Sequence, residues 1–277
     1  MKNHSDELIF HSQGLRRSAA NLGIASVKSP SRISPRGLSA KRFDVEVIEM
    51  IGLRILCLVI GYAFGCFQTA YILGRLKGID IRNYGSGNAG TTNAIRVLGT
   101  KAGLMVFVGD MLKTLFALLL VGALFGKAHP EYVYLLKSWA FMGVVLGHDY
   151  PFYMGFKGGK GVACMAGFAF GYHWTFLPAS LLLFLVPYLA TTYVSLGSLM
   201  VYGGTFIQMI IEGQMGIFKG ASQATLIEMY VIQFFLTFMA YYRHRANIGR
   251  LLTGTERKTY LFKSNTEKLD LSDKNKK

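Results

Sequence analysis

Charge is what this sequence has least of. Only 16% of its 277 residues are Asp, Glu, Lys or Arg, where soluble domains carry about 25%. Acidic residues are the scarcer sign, 15 against 30 basic, for a net charge of +15. The shortage is concentrated in the middle of the chain. Residues 1–49 hold 8 basic and 5 acidic groups and residues 243–277 hold 10 and 4, which leaves 12 and 6 for the 193 residues between. A middle so poor in charge excludes an ordinary soluble domain and implies a polytopic membrane protein. Cysteine is also sparse. Cys57, Cys66 and Cys164 all fall in apolar segments, so no disulfide framework is implied. No cluster of His, Cys or carboxylates suggests a metal, and the expected cofactor set is empty. No basic stretch is interleaved with stacking aromatics, which argues against nucleic acid as a partner. Residues 1–49 lack the apolar core of a signal peptide. They are rich in Ser and Arg with Pro30 and Pro35, and the expectation is a disordered extension.

What is present is apolar runs. They make up 52% hydrophobic residues and a mean hydropathy of +0.34. Ile51–Leu73, Ala102–Phe125, Tyr132–Leu146, Gly161–Tyr172, Trp174–Tyr193, Leu196–Ile211 and Leu226–Tyr242 predict an all-α protein of about seven transmembrane helices, the fourth short. Pro187 inside the fifth suggests a kink. Basic residues gather in the first and third loops (Arg75, Lys77, Arg82, Arg96, Lys101; Lys157, Lys160) and in the tail from Arg243. The bias predicts that these loops and the C-terminus face the cytoplasm.

Three polar stretches therefore meet at one face: residues 85–96, 155–161 and 243–250. The second holds Gly155, Gly158, Gly159 and Gly161 around Lys157 and Lys160. Glycines, a lysine and a following helix N-terminus together suit a phosphate, although a plain glycine turn fits as well. The spacing is not that of a nucleotide P-loop. In the first stretch Ser86, Asn88, Thr92 and Asn93 offer neutral hydrogen bonds. Arg96, Lys160 and Arg250 offer positive charge for anionic ligands. The asparagines also suit turn and cap chemistry, and the tail arginines suit a positive-inside anchor. Asp110 and Lys113, three apart on one helix face, are expected to pair as structural support. His148 at a helix end is expected to cap or pack. His244 lies three residues before Asn247, which puts both on one side of a helical turn.

At these motifs the sequence resembles the bacterial acyl-phosphate:glycerol-3-phosphate acyltransferase family. The matching blocks are residues 78–113, 146–163, 191–199 and 241–262, which carry Gly-Ser-Gly-Asn with Thr-Asn-x-x-Arg, Gly-His with Phe-Lys-Gly-Gly-Lys-Gly-Val-Ala, Tyr-Val-Ser-x-x-Ser and Arg-His-Arg-x-Asn-Ile-x-Arg. The family's usual Ala-Thr-Asn is Thr91-Thr92-Asn93 here. The resemblance implies a multi-pass enzyme of the bacterial plasma membrane whose site faces the cytoplasm. It implies acyl transfer from acyl phosphate to sn-glycerol 3-phosphate, giving lysophosphatidic acid and phosphate in the first acylation of phospholipid synthesis. The implied partners are these two substrates, membrane lipid and an enzyme that supplies acyl phosphate. Soluble-type glycerolipid acyltransferases use His-x4-Asp, and no histidine here has Asp five positions on.

By resemblance, Lys160, Ser86 and Arg96 are the catalytic candidates. Gly87, Asn88, Thr92, Asn93, Gly159 and Gly161 belong to the acyl-phosphate cradle. His244, Asn247, Ser195 or Ser198, and Arg250 would meet glycerol 3-phosphate. The expected domains are an extension (1–49), a membrane acyltransferase domain (50–262) and a polar tail (263–277). An organic-phosphate transporter is the rival reading, opposed by polar residues at one face and by the lack of an evident inverted repeat.

Overall fold

The computed structural model describes residues 35–260, with side chains from residue 47 onward. The chain divides into two units, residues 1–49 and 50–277. All regular structure in the described residues is helical. Ten α-helices run in order: α1 (Pro35–Gly65), α2 (Thr69–Leu76), α3 (Thr91–Leu98), α4 (Thr100–Phe125), α5 (Val133–Asp149), α6 (Val162–Gly171), α7 (Phe176–Thr191), α8 (Val194–Gln214), α9 (Gln223–Arg243) and α10 (Arg245–Leu252). Residues 1–34 and the tail from residue 261 lie outside the described residues. The part of the expected extension that is described, from Pro35, is helical.

Each of the seven expected apolar segments lies mainly on helix, the first of them on two. Four segments are long and apolar enough to cross a membrane: Val47–Leu76, Thr100–Phe125, Val194–Gln214 and Gln223–Arg243. Large apolar side chains point outward, among them Leu189 at 72%, Leu182 at 64% and Phe238 at 63% exposure. This is the inside-out pattern of helices that meet lipid. The interior is filled by Phe141, Phe168, Tyr172 and Phe176. Tyr172 stacks on Phe168 with ring centroids 4.4 Å apart.

The expected first span is not one helix. It stops at Gly65 and restarts at Thr69. Glycines let α1 and α5 touch backbone to backbone here. A Cβ at Gly61 or Gly65 would run into the carbonyls of Ala140 and Val144, and one at Gly143 or Gly147 into those of Leu58 and Tyr62. This is a reciprocal Gly-x3-Gly contact, the small-residue packing of membrane helices. The carbonyls freed at the break find donors. Lys113 Nζ on α4 reaches the oxygens of Gly65 (3.1 Å) and Phe67 (2.7 Å). Gln68 Nε2 reaches those of Gly65, Gly147 and His148. Pro187 is accommodated inside α7, which continues to Thr191.

Candidate active site

The loop between α5 and α6 meets the end of α9 through Arg243, and the end of α7 and the start of α8 meet the segment after α10 through Thr259 and Glu256. The loop before α3 is shaped by Asn93. Its Oδ1 accepts the Ser86 N–H (2.8 Å) and the Ser86 hydroxyl (3.2 Å), and its Nδ2 donates to the carbonyls of Ile81 and Tyr84. Asn93 is buried and all its amide bonds shown here run within the loop, so it organises the turn. Gly87 takes φ +71°, a conformation that glycine reaches without strain. Ser86 and Gly87 are exposed, Asn88 and Thr92 are half-buried.

Arg82 ties this loop to the next one. It forks onto Asp80 (2.9 and 2.7 Å) and reaches the Met154 carbonyl at 2.6 Å. The hydrogen bonds from Arg82 hold the Asp80 carboxyl below its usual range.

The glycine-lysine loop differs from expectation at Gly159. The N–H groups of Gly158 and Gly159 donate to the carbonyls of Asp149 and His148, both at 3.0 Å. Both N–H groups are thus engaged within the chain, and the cradle expected at Gly159 would draw on the N–H groups that follow Gly161. Glycine is needed at 159 because the His148 imidazole occupies the space a Cβ would take. The N–H groups without intrahelical acceptors are those that open α6 after Gly161, its N-cap residue with φ +72°. Beneath the loop, Lys113 Nζ lies 2.9 Å from Asp110 Oδ1 and 2.8 Å from His148 Nδ1. The three residues expected to act as support thus form one buried cluster.

Lys160 is half-buried, and its Nζ donates to Asn247 Oδ1 at 2.6 Å. Burial, and then the charges of Arg243 and Arg250, push its pKa down to about 8. Asn247 Nδ2 donates to Glu256 Oε1 at 2.7 Å. The same oxygen accepts from Ser195 Oγ at 3.0 Å, and Oε2 accepts from Arg250 Nε at 2.7 Å. Glu256 thus gathers three of the expected glycerol 3-phosphate residues. Ser195 joins this network. Ser198 does not, because its hydroxyl donates to the Val194 carbonyl one turn back. His244 Nδ1 lies 2.8 Å from the Ala240 carbonyl. A carbonyl only accepts, so Nδ1 carries the proton and Nε2 the lone pair. Burial, with Lys160 next, pushes the His244 pKa down to about 4, so the ring is neutral near pH 7. Arg96 is buried on α3, where Nη2 donates to Thr259 Oγ1 at 3.0 Å.

From the sequence, Arg243 was expected only as a positive-inside anchor in the Arg-His-Arg block, and Glu256 and Thr259 had no expected role. Arg243 Nη2 grips the carbonyls of Gly159 (2.5 Å) and Gly158 (3.3 Å). Its place in the Arg-His-Arg block was visible, but the partner was not. Glu256 is one of few acids in a basic tail, and that isolation was the available signal.

With this geometry in place, comparison with known proteins decides the family. The family model for glycerol-3-phosphate acyltransferase matches residues 55–254. The chain belongs to the glycerol-3-phosphate acyltransferase family. A glycerol-3-phosphate acyltransferase of Clostridioides difficile is 40% identical over 207 residues, covering 74% of this chain and 94% of that one. One from Thermotoga petrophila is 39% identical, covering 74% and 96%. Among solved structures, the crystal structure of PlsY, an integral membrane glycerol 3-phosphate acyltransferase in its glycerol 3-phosphate form, is 32% identical. It superposes with a TM-score of 0.64 over 76% of this chain and 99% of that one. PlsY in its lysophosphatidic acid form gives 0.62. This acyltransferase chain is thus a membrane protein of the same all-helical fold.

Proposed function

We propose that the chain transfers an acyl group from acyl phosphate to sn-glycerol 3-phosphate, giving lysophosphatidic acid and phosphate. The observation that carries this reading is a continuous polar chain across separate elements. Lys160 binds Asn247, Asn247 binds Glu256, and the segment holding Glu256 also meets Arg96 through Thr259. Cationic groups suited to two phosphates are thereby held at one end of the helices. The hydroxyl oxygen of glycerol 3-phosphate attacks the acyl carbon. The carbon–oxygen bond to phosphate breaks, and its electron pair leaves with the phosphate. That phosphate takes the hydroxyl proton, so no protein base is required. Lys160 and Arg96 stabilise the charge that develops, and Ser86 presents acyl phosphate. Asn247, Ser195, Arg250 and neutral His244 orient glycerol 3-phosphate. Purified protein should release phosphate from acyl phosphate only when glycerol 3-phosphate is present. A transporter would move organic phosphate across vesicles without that release.

The charge bias supports a topology of seven spans with this end on the cytoplasmic face of the bacterial plasma membrane. The acyltransferase domain spans residues 50–262 in this reading. A chain starting at Met50 is then expected to insert and keep its turnover; a well-inserted but inactive truncation would refute the boundary.

The pH profile tests the role of Lys160. A lysine pKa lowered to about 8 loses its charge as pH rises through that value. Activity is therefore expected to be full below about pH 7 and to fall above 8. Arg243, Arg250, Glu256, Asp149, Asn247 and His244 face the ammonium. Arg243→Gln removes a like charge, so the falling limb should move to higher pH. A limb that stays in place would show that Lys160 does not set it.

A further inference from the structure

The segment Thr253–Tyr260 follows α10 as irregular chain, and its last six residues lie beyond the stretch that the family model matches. Two of its side chains turn inward, Glu256 and Thr259, while Arg257 and Lys258 between them stay exposed. Thr259 is fully buried. Its N–H donates to the Thr192 carbonyl at 3.1 Å, and its carbonyl accepts from Tyr188 Oη at 3.0 Å. Both backbone bonds run to the end of α7, so the residue is anchored whatever its side chain. Its hydroxyl then accepts from Arg96 Nη2 at 3.0 Å.

We infer that Thr259 is a positioning residue, which aims the Arg96 guanidinium at acyl phosphate. The inference rests on the reading of function given above. Arginine is long, and holding it in one direction costs rotamer entropy. An acceptor fixed by two backbone bonds and stiffened by β-branching meets that cost before substrate arrives. The hydroxyl oxygen accepts from Arg96 without bringing a charge of its own. The α3 helix alone does not supply this acceptor. It comes from 163 residues further along the chain.

The test uses the full chain purified in detergent. Thr259→Val deletes the acceptor and keeps the shape and both backbone bonds. Thr259→Ser keeps the acceptor. Thr259→Val is expected to lower kcat/KM for acyl phosphate about ten-fold, while KM for glycerol 3-phosphate changes less than about two-fold. Thr259→Ser should stay within about two-fold of the parent protein. The inference is overturned if Thr259→Val matches the parent, or if valine and serine fall equally. It is also overturned if both substrates weaken together with a lower unfolding temperature, since that marks a purely structural role. A parent protein that releases no phosphate from this substrate pair would refute the functional reading itself, and the inference would fall with it.

Discussion

Lys160→Ala is expected to lower turnover by about 10²–10³, or about 3–4 kcal/mol of transition-state stabilisation. The folded protein should remain in the membrane. Lys160 follows Gly158 and Gly159 and sits two residues before α6, where an anion would meet helix N–H groups. Its ammonium is held by Asn247, which Glu256 orients in turn. A fixed charge in a partly dry site needs no reorganisation as the leaving phosphate gains charge. Lys157, three residues earlier and exposed, has none of these partners. Lys157→Ala should therefore cost less than about three-fold. Turnover at saturating substrate, normalised to folded protein, separates the two. Equal behaviour of both variants would reduce Lys160 to an interfacial anchor.

The second large effect is on stability. Lys113→Met is expected to destabilise the fold by about 3–5 kcal/mol, because it leaves Asp110 as a buried charge without its partner. It also strips donors from the Gly65 and Phe67 carbonyls at the helix break and from His148. A second variant distinguishes these losses. Asp110→Leu combined with Lys113→Met removes both charges, and ion-pair removal of that kind is often nearly neutral. If closing the break is what matters, the double variant stays destabilised, since both carbonyls still lack the ammonium. Unfolding temperature in detergent reads this directly, and recovery to the parent value would assign Lys113 to the ion pair alone.

These two residues show different degrees of legibility. Lys160 stood out because a lysine among glycines between apolar runs has few structural uses. The pairing of Asp110 with Lys113 was equally plain, since helix geometry puts residues three apart on one face. The break at Cys66–Gln68 was not legible. Residues 51–73 read as one apolar run with Arg54 and Gln68 as its main polar interruptions, and a single glutamine in such a run does not by itself end a helix. The break persists because Lys113 and Gln68 supply the donors that water cannot bring to membrane depth.

The same division holds across the site. Residue chemistry and order along the chain determined that this is a multi-helix membrane protein, because apolar length is a local property. Tertiary structure decided which polar atoms are spent and which remain. Asn93 bonds within its own loop and Gly159 makes room for the His148 ring. Ser195 rather than Ser198 reaches Glu256, although both lie near the start of α8. Glu256 and Thr259 enter the site from a segment whose composition is that of a basic tail. Arg96, Lys160 and Ser195 each meet a partner dozens of residues away, and only the packing of the helices sets which partner comes within hydrogen-bond reach.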